Sequence, residues 1–191
     1  MSRCIFILAS GTGSLAEAII SASQKGDLSA QVIAVLTDQP EAGIVSKCAT
    51  LDIPIISHPM HDDRAEWNEE LFQITESLNP TLVVSAGFMR ILDANYVTTF
   101  KVINSHPSLL PMFPGAHAVR DALISKVTQT GTTIHWVDAG VDTGEIIVAR
   151  EVPILEDDTE EVLHERIKIV ERGLIVATIS ELLDTLEFSH E

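Results

Sequence analysis

Three prolines fall within eight residues of the stretch Asn104-Ser-His106-Pro-Ser-Leu-Leu-Pro-Met-Phe-Pro-Gly115, directly after the apolar pair Val102-Ile103. Each proline removes a backbone donor and fixes φ near about −65°. The residues before them, His106, Leu110 and Phe113, are pushed out of the helical region. A strand arriving at Asn104 therefore gives way to a stiff loop. Asn104 and His106 are two residues apart, so on a strand they face the same side. An amide there can donate to a developing oxyanion, and an imidazole can move a proton near neutral pH. A structural loop around a buried, satisfied histidine fits the same residues equally well.

Upstream of this loop the pattern alternates. Apolar runs at 3–9, 31–37, 53–56, 81–85 and 101–104 read as strands. Helical patterns begin at Leu15 and cover 41–50, then Asp63 to Leu78, then 93–99. Asp63-x-x-Glu66 resembles a capping box, and Trp67, Leu71, Ile74 and Leu78 form the stripe behind it. Strand-helix alternation predicts a doubly wound, mostly parallel α/β sheet of Rossmann-like type. Ligands in such sheets bind beyond the carboxyl ends of the strands, where Asn104 is expected.

Downstream, 117–126 is helical, and then 132–137 and 145–150 read as strands with no helix between them. This predicts an antiparallel addition. Asp158-x-x-Glu161 opens a long helix to about residue 185, with Val162, Leu163, Ile167, Val170, Leu174, Ala177 and Leu182 as its apolar stripe. One domain over 1–191 is expected, with the phosphate-binding half ending near residue 104.

A hydrophobic fraction of 46% supports a sizeable core, and a net charge of −16 disfavours a nucleic-acid or anionic-membrane surface. No apolar run is long enough for a transmembrane helix, and the first residues read as a strand rather than a signal peptide. Cys4 and Cys48 form no metal or redox motif, which points to a reducing, cytoplasmic setting.

Ser10-Gly11-Thr12-Gly13-Ser14 between a strand and a helix suits a phosphate on a helix N-terminus. Gly11-x-Gly13-x-x-Ala16 is also close to a dinucleotide fingerprint, with Asp38 in the place of a ribose acid. A nicotinamide oxidoreductase, a non-catalytic nucleotide-binding module and a plain tight turn all fit this loop. Asp142 lies in a loop between glycines, where an aspartate is ordinarily a turn former. His58 and His61 lack a third ligand at sensible spacing, and nothing singles out His106, His117, His135 and Asp142 as a metal set, so no metal is predicted.

Taken together, Asn104-x-His106-Pro-Ser-Leu-Leu-Pro111-x-Phe-Pro-Gly115, Gly131-x-Thr133-x-His135 and Val141-Asp142-x-Gly144 resemble the formyltransferases that use 10-formyltetrahydrofolate. The resemblance covers nearly the whole chain. It implies that the amine of a glycinamide ribonucleotide attacks the formyl carbon of the folate, a step of purine synthesis. Asn104 and a protonated His106 would stabilise the oxyanion, and Asp142 would set the charge of His106 and move protons. His117 and His135 would support them. Gly11, Thr12, Gly13 and Ser14 would hold the substrate phosphate, and Glu171 would reach the ribose. Arg64, Met89, Arg90, Ile91 and Leu92, together with Asn104, would line the folate pocket. The second half, from about residue 105, would then carry folate binding and catalysis. The implied partners are small molecules alone, with no nucleic acid and no membrane, on a monomer or homodimer.

Two positions depart from the family pattern. Leu15 stands where an asparagine is usual, and Arg172 follows Glu171 where a histidine is usual. Both fall on the ribonucleotide side, which keeps an amino sugar nucleotide open as the acceptor. The acidic chain, ending after one long helix, is not expected to be a transfer-RNA formyltransferase, which carries a basic C-terminal domain. Nor is a formyltetrahydrofolate deformylase expected, since the chain begins directly at its first strand.

Overall fold

The computed structural model describes residues 3–188. Its strands are β1 (Cys4–Leu8), β2 (Gln31–Thr37), β3 (Ile55–Ser57), β4 (Leu82–Ser85), β5 (Val102–His106), β6 (Gln129–Trp136) and β7 (Ile146–Pro153). Its helices are α1 (Ser14–Lys25), α2 (Gly43–Thr50), α3 (Arg64–Leu78), α4 (Ala94–Thr99), α5 (Ala118–Ile124) and α6 (Glu160–Phe188). The strands form one sheet in the order β3-β2-β1-β4-β5-β6-β7. Neighbours from β3 to β5 are parallel, and β6 and β7 add antiparallel to β5 and to each other. This is the expected doubly wound sheet with its antiparallel edge. The chain winds outward from β1 to β3 and then crosses back to β4. The switch in direction lies between β1 and β4, where a crevice opens beyond the strand ends.

Both faces of the central strands are covered, which explains their unbroken apolar runs. On one face Ile5, Ile7, Val84 and Ile103 pack with Leu15, Ile19, Ile44, Ile175 and Ile179 of α1, α2 and α6. On the other, Phe6, Leu8, Leu36 and Val83 pack with Trp67 and Leu71 of α3 and Tyr96 of α4. Asp63 caps α3 as expected, accepting from the amides of Ala65 and Glu66.

The long C-terminal helix differs from expectation in two respects. It is capped by Thr159, whose Oγ1 accepts from the Val162 amide at 3.3 Å. Asp158 instead binds Arg166 through both guanidinium nitrogens, at 2.6 and 2.7 Å. The buried stripe is Leu163, Ile167, Glu171, Ile175, Ile179 and Leu183, whereas Val162 and Ala177 face solvent. A stripe drawn through apolar residues alone drifts off this face, because the position between Ile167 and Ile175 is an acid. Among the described residues no helix is long and apolar enough to cross a membrane.

Candidate active site

Strand β5 ends beside β4 and β6, with Asn104 opposite Ser85 on one side and His135 on the other. The antiparallel partner extends β5 two residues beyond Asn104, to His106. Asn104 and His106 share a face, and Ser105 points to the opposite one, where it donates to Glu171 of α6 at 2.8 Å.

The proline loop is pinned to β6. Thr133 Oγ1 donates to the Ser108 carbonyl at 2.7 Å and accepts from the Leu110 amide at 3.1 Å. The Leu110–Pro111 peptide is cis. Ser108 Oγ donates to the Met112 carbonyl at 2.5 Å, and the next carbonyl, that of Phe113, accepts from His106 Nε2 at 2.8 Å. A carbonyl can only accept, so Nε2 carries the proton of a neutral His106. The other nitrogen, Nδ1, lies 3.3 Å from Asp142 Oδ2. Asp142 Oδ2 also accepts from the Gly115 amide at 2.7 Å, and Oδ1 stands 3.5 Å from His135 Nε2. His135 Nδ1 faces the Trp136 carbonyl at 2.8 Å, and its Nε2 lies 3.2 Å from Asn104 Nδ2. One carboxylate thus joins two imidazoles and an amide from two strands and two loops.

Asp142 reaches this position from a tight loop, with φ +54°. The loop closes because Gly144 lies against β6: a Cβ there would fall 1.7 Å from the Trp136 carbonyl oxygen. The loop thus delivers the Asp142 carboxylate to both imidazoles.

Burial drives the charges in opposite directions. It pushes His106 below the usual imidazole value and outweighs the Phe113 carbonyl and Asp142, which raise it; His135 adds to the lowering. Burial thus opposes the protonated His106 that Asp142 favours. Burial also pushes Asp142 up, but His135, the Gly115 amide and His106 together hold its carboxyl below the usual range. A carboxylate facing an unprotonated Nδ1 is the arrangement of a proton acceptor. Asp142 is also the most open of the three, at 13% side-chain exposure against 5% for His106 and 2% for His135.

The cluster sits in a cavity of about 630 Å³. Gly11, Thr12, Gly13 and Ser14 form one wall of it, and Met89, Arg90, Ile91 and Leu92 another. No side chain caps the N-terminus of α1, and Gly13 turns there with φ +73°. A Cβ on Gly13 would lie 2.5 Å from Ile44 Cδ1, so the turn needs glycine twice over. The uncapped helix end offers its amides to an anion. Glu171 also lines the cavity, and burial raises its carboxyl despite the bonds from Ser105 and Thr132. His117 and His135 are in the wall too.

Arg64 is not part of this wall. Its guanidinium lies 4.9 Å from the centre of the Trp67 ring and donates to Asn68 and to the Ile91 carbonyl. It braces the 87–92 segment from behind. Asp38 is not placed to take a ribose, because its side chain has no exposed surface and Arg90 Nε holds its Oδ2 at 2.6 Å, which removes the acid that the dinucleotide reading requires. His58 stacks on Trp67 and His61 binds Glu70 at 3.1 Å, both as supports of α3. Among the described residues no three His, Cys, Asp or Glu side chains are arranged to hold a metal ion.

Lys168 and His164 of α6 also line the cavity and escaped the sequence reading. Stepping back from Glu171 by three and seven residues along a helix would have found them.

A doubly wound sheet with an amide, an imidazole and a carboxylate gathered at one strand end, beside an uncapped helix N-terminus, is the arrangement of a group-transfer enzyme. The formyl transferase family model matches residues 3–179, and the chain belongs to that family. The chain is 44% identical over 182 residues to phosphoribosylglycinamide formyltransferase of Mycobacterium tuberculosis, covering 93% of this chain and 84% of that protein. The crystal structure of phosphoribosylglycinamide formyltransferase from Bacillus halodurans superposes with a TM-score of 0.90 at 38% identity, over 95% of each chain. Glycinamide ribonucleotide transformylase 1 from Geobacillus kaustophilus gives 0.91 at 33% identity, over 96% of this chain and 100% of that one.

Proposed function

We propose that the protein is a phosphoribosylglycinamide formyltransferase. It moves the formyl group of 10-formyltetrahydrofolate to the amine of phosphoribosylglycinamide, a cytoplasmic step of purine synthesis on small-molecule substrates. The observation that carries the reading is the position of Asp142, bridging His106 and His135 at the end of β5 in the cavity that the 11–14 loop and the 87–92 segment also line. The names of the relatives agree with it.

In this reading each part of the cavity has a role. The phosphate sits on the amides of residues 11–14, and Glu171 meets the ribose hydroxyls. The folate lies along residues 89–92. The substrate amine attacks the formyl carbon, forming the new C–N bond and an oxyanion. Asn104 Nδ2 donates to that oxygen, and His106 joins it when Nε2 exchanges the Phe113 carbonyl for the substrate. Asp142 takes the ammonium proton, directly or through a water. The bond from carbon to the folate nitrogen then breaks, and that nitrogen takes up a proton to leave tetrahydrofolate. Preorganised donors of this kind are each worth roughly 10²–10³ in turnover.

An assay of formyl transfer from 10-formyltetrahydrofolate to a panel of amines tests the proposal. Phosphoribosylglycinamide is expected to be preferred over amino sugar nucleotides by at least about 10³ in kcat/KM. An amino sugar nucleotide as the better acceptor would overturn it.

A further inference from the structure

A charge pair with a buried carboxylate spans the ends of three strands beside the cavity, and the formyl-transfer chemistry does not use it. Asp38 directly follows β2, and its side chain has no exposed surface. Arg90, five residues past β4, puts Nε on Asp38 Oδ2 at 2.6 Å and is 30% exposed. Between β2 and β4 lies β1. The pair therefore reaches over the end of β1 across two strand spacings, roughly 9–10 Å. Beneath it, Ser10 opens the phosphate loop. The Ser10 amide donates to the Gly87 carbonyl at 3.2 Å, and its Oγ accepts from the Met89 amide at 2.9 Å. Gln39 Nε2 adds a bond to Asp38 Oδ2 at 3.2 Å. Both Met89 and Arg90 belong to the cavity wall.

A fully buried carboxylate is costly unless it is paired and hydrogen-bonded. Here its cationic partner is drawn from the segment that forms a ligand wall. We propose that Asp38 is a positioning residue for the folate donor: by holding Arg90 across the end of β1 and above Ser10, it fixes residues 87–92 against the 10–14 loop and keeps the folate wall pre-formed. This rests on the reading above that this wall takes the folate. Pre-formation lowers the ordering cost of binding and so acts on affinity rather than on the chemical step. Arg90 is exposed enough to find water when unpaired, so Asp38→Asn keeps the fold.

The test is steady-state kinetics, tetrahydrofolate binding by calorimetry, and hydrogen exchange at the Met89 amide. Asp38→Asn is expected to raise the KM for 10-formyltetrahydrofolate and the Kd for tetrahydrofolate about tenfold, the size of one charged hydrogen bond. Its kcat should stay within about twofold of wild type, and Met89 exchange should quicken by about the same tenfold. The double variant Asp38→Asn/Arg90→Gln, which holds no unpaired buried charge, should match Arg90→Gln alone, because Asp38 acts through Arg90. It also serves as the test should the single variant fail to fold. A folded Asp38→Asn that melts earlier but keeps wild-type folate KM and Met89 protection would overturn the proposal, as would additive effects in the double variant. A wild-type protein that neither transfers formyl nor binds tetrahydrofolate would overturn the functional reading and this inference together. Activity in wild type with an unchanged variant overturns the inference alone.

Discussion

Asp142 Oδ2 stands 3.3 Å from His106 Nδ1, while the opposite nitrogen of the same ring is bonded to the Phe113 carbonyl. The ring is thus clamped between a fixed acceptor and a carboxylate. Any proton arriving at Asp142 Oδ2 has an imidazole nitrogen beside it to share it.

The clamp makes stability depend on pH. Burial depresses His106 below its ordinary value of 6.5, so the unfolded chain binds this proton first as pH falls. The contribution is complete above that value and is lost as pH drops through the folded pKa. His164 is depressed as well, by burial and then by Lys168, and acts in the same window. The melting temperature is expected to fall between about pH 7 and about pH 5, with a shallower fall in His106→Gln and shallower still with His164→Gln added. A slope identical in all three proteins, followed by differential scanning calorimetry, would contradict this.

Glu171 has the opposite sign. Burial raises its carboxyl, so the folded state holds the proton more tightly than the unfolded one. Its contribution is present below the unfolded value and is lost as pH rises through the folded pKa, which leaves a cost at neutral pH. Glu171→Gln keeps the bonds from Ser105 and Thr132 and removes that cost. We expect its melting temperature to rise by roughly 3 °C, about 1 kcal/mol in a domain of this size. The KM for phosphoribosylglycinamide should rise with it, because a ribose acceptor is lost. A lower melting temperature with unchanged KM would place Glu171 in packing alone.

Leu15 lines the cavity beside Ser14, and it also belongs to the core. It is 8% exposed and packs in the cluster that joins α1 to Ile175 and Ile179 of α6. Leu15→Asn should cost about 2–4 kcal/mol, since it both empties apolar volume and buries an amide. The KM for the ribonucleotide should move by no more than about twofold, well under the tenfold that 1.4 kcal/mol would give. A stable variant with a much lower KM would show that residue 15 serves the ligand instead.

Much of this was legible in the sequence because local rules and the fold agree. The apolar runs before Gly11 and Asn104 are strands buried on both faces, and the three prolines do end β5 in a fixed loop. The loop at 11–14, residues 89–92 and the Asn104, His106 and Asp142 set all line one cavity. What the sequence left out depends on distance. The phase of α6 was missed because its buried face includes Glu171. Asp38 looked like a ribose acid until Arg90, 52 residues away, was found on it. The protonation of His106 is pulled two ways, up by the Asp142 carboxylate and down by burial, and the burial is visible only in the packed structure.

The most direct test of the site is steady-state formyl transfer by Asp142→Asn, with circular dichroism to confirm the fold. The asparagine keeps the shape and can still accept from the Gly115 amide, but it takes no proton and carries no charge. The account predicts a loss of about 10²–10⁴ in kcat with KM values little changed, since general base catalysis is worth that much. It further predicts that adding Asn104→Ala and His106→Ala gives less than the product of the single losses, because all three act on one transition state. Near-wild-type kcat in folded Asp142→Asn would contradict the account and return Asp142 to the role of a turn residue.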